Sequence, residues 1–160
     1  MTSVATTPRA FNPDIATGAA QFLTPVVLDL IALSVNGKQA HWHVRGPGFI
    51  AVHELLDDVV KHARHFSDMA AERVIAMGLP LDARMQTAAT KTTTPKMTPG
   101  FQTVAKVVEQ MVAQVDATLE TVQKAVDELA ELDPASQDVA IEISRGLTID
   151  RWYLAAHVEK

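Results

Sequence analysis

Between Val104 and Leu129 the apolar residues Val104, Val108, Met111, Val115, Leu119, Val122, Val126 and Leu129 step by three or four. That spacing draws one stripe along an α-helix and demands other helices to bury it. A strand would need alternation with period two instead. The helical step recurs upstream: from Val27, the positions Leu30, Ile31, Ser34 and Val35 lead on to Lys38, His41 and Trp42, and predict a helix from near Asp14 to about Val44. Pro25 leaves two readings there, since Thr24-Pro25 can start a helix or the proline can sit inside one begun earlier. Arg45-Gly46-Pro47-Gly48 breaks the pattern. A second long helix is expected from Phe49 to Met77.

Residues 78–100, GLPLDARMQTAATKTTTPKMTPG, are rich in Thr, Pro and Gly and too long for a simple turn between antiparallel neighbours. They must cross over or carry a short helix of their own. After the 104–129 stripe, Asp133-Pro134 offers an N-cap and a first-turn proline for a last helix carrying Val139, Ile143, Leu147 and Leu154. The expectation is an all-α four-helix bundle over residues 14–160, one domain in a chain of 160 residues, behind a flexible tail at 1–13.

There is no cysteine, so disulfides, thiolate zinc sites and thiol nucleophiles are excluded. Any metal must use nitrogen and oxygen ligands. The N-terminal MTSVATTPRAFNPD lacks the charged start and apolar run of a secretion signal, and no apolar stretch in the sequence reads as the roughly 20 residues of a bilayer span. A soluble cytoplasmic protein without a membrane partner is expected.

The chemistry concentrates in the segment from Lys38 to Arg73. With His53 set to zero on a helix of about 100° per residue, Asp57 falls near 40°, Asp68 near 60° and Glu72 near 100°. Leu55, Leu56, Val59, Ala63, Phe66, Ala70, Val74 and Met77 cluster between about 200° and 300°. The ligand face is thus separate from the packing face. Asp57 and Asp68 are about 16 Å apart along the axis, so one chain cannot bring both to one metal. Two copies crossing antiparallel at a twofold axis would place His53 and Asp57 of one opposite Asp68 and Glu72 of the other, and twofold pairing is the commonest oligomer contact. His41, in the last turn of the preceding helix, can supply a second imidazole. Such a set suits Fe(II), Mn(II) or Zn(II), and its carboxylates stabilise Fe(III), which favours iron redox chemistry over zinc hydrolysis. Lys61 and Arg64 share the ligand face and can balance its charge. For His43, His62, His65 and His157 a surface or hydrogen-bonded role is the plainer reading. Trp42 is either a packing residue or an oxidisable ring beside the metals.

KQAHWHVRG, FIAVHELLDD and SDMAAER together resemble the signature of the Dps family, the DNA-binding proteins from starved cells, or mini-ferritins. The resemblance extends over the first two helices and agrees with the rest in length and order. It implies a ferritin-like bundle in a hollow twelve-subunit shell that oxidises Fe(II), preferentially with hydrogen peroxide, at two-iron intersubunit centres and stores ferric mineral. Those centres would use His41, His53 and Asp57 of one subunit with Asp68 and Glu72 of its mate, with Trp42 as a radical sink. Asp133, Asp138 and Glu142 match the acids that line iron-admitting pores in such shells, and simple capping or solvation is the alternative for them. Family members usually carry Asn where this chain has His43, which either tunes the centre or adds a weak metal site. DNA-binding members generally use a Lys-rich tail, whereas this N-terminus holds only Arg9 before the helix and the chain stops at Glu159-Lys160. Twelve subunits at −5 each would carry about −60, repelled by phosphate, so direct DNA binding is not expected. The competing functions are a metal-dependent hydrolase on the same residues and a DNA-compacting shell.

Overall fold

Asn12 caps the first helix through its side chain, accepting the backbone N–H of Asp14 at 2.9 Å, and Pro13 takes the first helical position where no N–H is needed. The computed structural model describes residues 11–158, so most of the tail expected at 1–13 lies outside it. The elements are α1 (Pro13–His43), β1 (Val44–Arg45), α2 (Phe49–Ala76), α3 (Met85–Lys91), β2 (Gln102–Thr103), α4 (Val104–Leu129) and α5 (Pro134–Ala155). Pro25 lies inside α1. It is tolerated because Pro25 and Gln21 are both exposed, so the carbonyl deprived of its helical partner faces water.

Four cross-helix registers give the topology. Lys38 meets Asp57 and His41 meets His53; Asn36 meets Gln114 and Asp29 meets Thr121. His62 meets Asp150 and Arg73 meets Ser136; Asp116 meets Arg151 and Val126 meets Gln137. Each pair of helices runs antiparallel, which makes the order up, down, down, up and leaves α2 and α4 parallel. Parallel neighbours require the chain to travel back along the bundle, and residues 78–103 do so, with α3 on the way. A two-residue parallel bridge, Val44 with Gln102 and Arg45 with Thr103, joins the end of α1 to the start of α4. It is too short to show any alternation in sequence. Gly46 and Gly48, at φ 102° and 78°, make the turn into α2 in a region that side chains with a Cβ disfavour.

The core follows the expected stripes. Leu56, Val59, Ala63, Phe66, Ala70 and Val74 of α2 with Met77 at its C-cap, and Val108, Met111, Val115, Val122 and Leu129 of α4, are buried. Leu55, Val104, Leu119 and Val126 pack at the margin. Val35 is 63% exposed, against its place in the expected stripe, because α1 turns that side away from both α2 and α4. Contrary to the sequence reading, α1 is long and apolar enough by length and composition to cross a membrane, with half of its most apolar 18-residue window buried inside the bundle. Leu23, Val26, Leu30 and Leu33 of that helix are fully buried, and it also carries the buried Asp29, so its apolarity serves the core.

Asp29 fastens the crossover. One carboxylate oxygen accepts the Thr92 hydroxyl and the Thr93 N–H, both at 2.7 Å, and the other accepts the Thr93 and Thr121 hydroxyls at 2.7 Å. Four donors satisfy a carboxylate that is 1% exposed, which is what a buried charge requires. Gln114, fully buried, gives its amide N–H to the Pro95 carbonyl and takes the Asn36 amide at 2.7 Å.

Candidate metal centre

The α1–α2 hairpin stacks the imidazoles of His41 and His53 with centroids 3.6 Å apart and planes 20° from parallel. The two rings are held reciprocally. Nδ1–H of His41 donates to the His53 carbonyl at 2.7 Å, and Nδ1–H of His53 donates to the His41 carbonyl at 2.8 Å. Carbonyls only accept, so each Nδ1 carries a proton, and in the neutral imidazole that tautomer leaves the lone pair on Nε2. This is how metal-binding histidines are oriented by an outer partner. Close approach of the helices makes the register possible: a Cβ on Gly37 would lie 2.7 Å from Cγ2 of Val60.

Asp57 completes the cluster, one oxygen 3.4 Å from Nδ1 of His41 and ion-paired to Lys38. The hydrogen bond from Lys38 holds the Asp57 carboxyl below the usual carboxylate range, outweighing the desolvation that pushes it up. Lys38 is the residue that sequence reasoning passed over. It lies one turn before His41, and its partnership with Asp57 depends on the hairpin register. Lys61, expected to balance the ligand charge, pairs with Asp58 at 3.0 Å instead, and Arg64 makes no ion pair with a ligand carboxylate.

Asp68 and Glu72 are exposed and take no hydrogen bond or ion pair among the described residues. No three His, Asp or Glu side chains gather around one point among the described residues. His41 and His53 stack and Asp57 lies beside His41, while Asp68 and Glu72 stand apart down the same helix. Trp42 is 64% exposed, so it is not a packing residue of its own bundle.

Asp133 occupies the N-cap position of α5 but makes no side-chain cap bond. Its carboxylate takes the Ser136 hydroxyl and the Arg73 guanidinium, the latter at 2.8 Å. Burial pushes this carboxyl up, and the bonds from Ser136 and Arg73 outweigh it, leaving it below the usual range. Asp138 and Glu142, exposed and one turn apart, carry no such partner among the described residues. His43 and His157 bond the backbone carbonyls of Gln39 and Tyr153, the hydrogen-bonded state expected of them, while His62 bonds a buried carboxylate.

An up-down-down-up bundle with a long crossover, and imidazoles and carboxylates along the outer side of its second helix, is the architecture of ferritin-like proteins. The model of the ferritin-like domain matches residues 21–160. Dps from Microbacterium arborescens, solved in a high iron form, is 53% identical and superposes with a TM-score of 0.92 over 94% of this chain and 99% of that one. Dps from Mycobacterium smegmatis is 27% identical with a TM-score of 0.89, covering 96% of this chain and 93% of that one. The DNA protection during starvation protein of Agrobacterium fabrum is 30% identical over 139 residues, 86% of each chain. The chain belongs to the Dps family of ferritin-like proteins.

Proposed function

We propose that this protein is a cytoplasmic ferroxidase and iron store: a hollow homododecamer that oxidises Fe(II) with hydrogen peroxide and protects against oxidative damage. The observation that carries the reading is the reciprocal pairing of His41 and His53, which engages both Nδ1 atoms and leaves both Nε2 atoms without a protein partner among the described residues, with Asp57 beside His41. Imidazole and carboxylate together suit Fe(II). The Microbacterium arborescens relative, solved in a high iron form, points the same way.

Fe(II) is here the substrate. His41 and His53 bind through Nε2, Asp57 turns from Lys38 to the ion, and Asp68 and Glu72 of the partner subunit close the centre. Two Fe(II) each give one electron to one peroxide, which with two protons becomes two waters. The pairwise transfer leaves no hydroxyl radical. Lys38 is released from Asp57 in that step, and Trp42, next in sequence to His41 and exposed, serves as the sink for stray one-electron oxidation in this reading.

Complementation tests both the residues and the shared centre. One variant carries His53→Ala and Asp57→Ala, the other Asp68→Ala and Glu72→Ala, and each alone should lose peroxide-dependent ferric absorbance. Unfolded, mixed and reassembled, they should regain part of the activity, because some twofold pairs then hold one intact centre. A mixture as inactive as its parents would remove the intersubunit centre. An active His41→Ala, His53→Ala variant would remove the ligand assignment.

A further inference from the structure

Asp150 is a buried acid that the proposed reaction does not use. It is 1% exposed, and His62 of α2 is the one side chain that hydrogen-bonds it among the described residues, with Nδ1 at 2.9 and 3.1 Å from its two oxygens. An ionised carboxylate only accepts, so Nδ1 carries the proton. The other side of the ring is open. The His62 side chain is 49% exposed, so a second proton can enter and leave at Nε2 without the helices parting.

A close helix contact builds the pair. Gly146 lies against the Phe66 ring, which occupies the space a Cβ would fill, and this brings α5 onto α2. Asp150 and His62 come one turn along each antiparallel helix from that contact, and the Phe66 ring centroid is 6.3 Å from that of His62. On α2 the pair falls between the two proposed half-sites, His62 standing five residues after Asp57 and six before Asp68.

The neighbouring charges do not replace His62 as the partner of Asp150. On α2, Lys61 is paired with Asp58 at 3.0 Å. Burial pushes the Asp150 carboxyl up, His62 draws it back, and the charge of Asp58 adds to the upward push. His65 is exposed and lies against the far side of the contact, its ring centroid 5.7 Å from that of Phe66. From α4, Asp116 faces α5 and is paired with Arg151. The buried acid of α1, Asp29, is bonded to Thr92, Thr93 and Thr121.

We propose that His62 and Asp150 form a pH-sensitive clasp between α2 and α5, closed as an imidazolium–carboxylate pair in mild acid and loosened when His62 gives up its second proton. A buried carboxylate left with a neutral partner keeps its desolvation cost and loses its countercharge. An imidazole ordinarily makes that change between about pH 5 and 8. Asp150 works in the same sense, because a carboxyl raised in the folded state adds stability at the acid end and loses it as pH rises. The clasp uses no metal ion, so it stands or falls apart from the ferroxidase reading.

Amide hydrogen exchange of the full chain, followed by mass spectrometry on α5 peptides and corrected for the intrinsic rate at each pH, measures how often that helix opens. Between about pH 6 and about pH 8, opening in the unaltered chain should rise about 10-fold, the ratio that separates a charge-assisted hydrogen bond from a neutral one. His62→Gln and Asp150→Asn should each flatten that rise, the first by removing the titrating ring and the second by removing the buried charge. His65→Ala should leave it in place. A flat profile in the unaltered chain overturns the clasp, and so does a rise that survives His62→Gln or disappears with His65→Ala. Asp150→Asn keeps the side-chain shape and His62 is half-exposed, so either variant decides the matter where the other folds poorly.

Discussion

Asp57 has two claimants, Lys38 in the structure and a metal ion in the proposed reaction. Its carboxyl is held below the usual range chiefly by the Lys38 hydrogen bond. A depressed carboxyl adds stability above the ordinary carboxylate range, and that contribution fades as pH falls through the folded-state value. Lys38→Ala should therefore move the Asp57 titration up towards its ordinary value, measured by carboxyl NMR, and flatten this part of the acid response. An unmoved titration would show that the pair is not formed in solution. The angular placing of His53, Asp57, Asp68 and Glu72 was legible in the sequence because a straight helix has a fixed turn angle. The partner of Asp57 was not, because one residue of slip between α1 and α2 would exchange every cross-helix pair.

At the scale of elements, three of the helical glycines pack tightly against side chains. Beyond Gly37 and Val60, Gly18 lies under Leu132 and Gly146 under Phe66. A glycine inside a helix costs roughly 1 kcal/mol relative to alanine, and close approach is what offsets that cost here. Gly146→Ala should destabilise the protein by about 1–3 kcal/mol, as overpacking does, measured by denaturant unfolding, with Phe66→Leu relieving part of the loss in the double variant. A neutral or stabilised Gly146→Ala would mean that the ring moves aside freely. The four long helices were legible because their apolar stripes are long. The crossover was legible as a connection, but Thr92, Thr93 and Thr121 read as loop or surface residues until the fold gathers them on Asp29. Asp133 likewise reads as a cap, whereas Arg73, sixty residues away, takes its carboxylate.

At the scale of the whole molecule, charge and assembly act together. A chain of −5, multiplied in the proposed shell, would repel polyanions at moderate salt. No shifted duplex is expected in a gel-retardation assay at neutral pH and physiological ionic strength, and tight complexes there would overturn the electrostatic reading. That expectation concerns direct contact with DNA and leaves the proposed protection by iron removal intact. The sequence carried the reasoning for assembly in one distance: two acids too far apart along a helix to serve one ion. Which surfaces would meet beyond the proposed α2 pairing was not legible, because exposed apolar residues such as Ile149, Trp152 and Tyr153 form no stripe that the bundle core itself requires.

The reciprocal bonds between His41 and His53 have a thermodynamic corollary. Each ring is aimed by the backbone of the other helix, so the positions of both Nε2 atoms are a direct function of how α1 sits on α2. Any ion that uses both nitrogens must bind one hairpin register in preference to all others, and by linkage it stabilises that register by the same free energy. Metal affinity in this protein should thus act as a gauge of scaffold strain. A substitution far along the hairpin, at Gly37 or Val60, would be read at the centre as weakened binding before any loss of the fold.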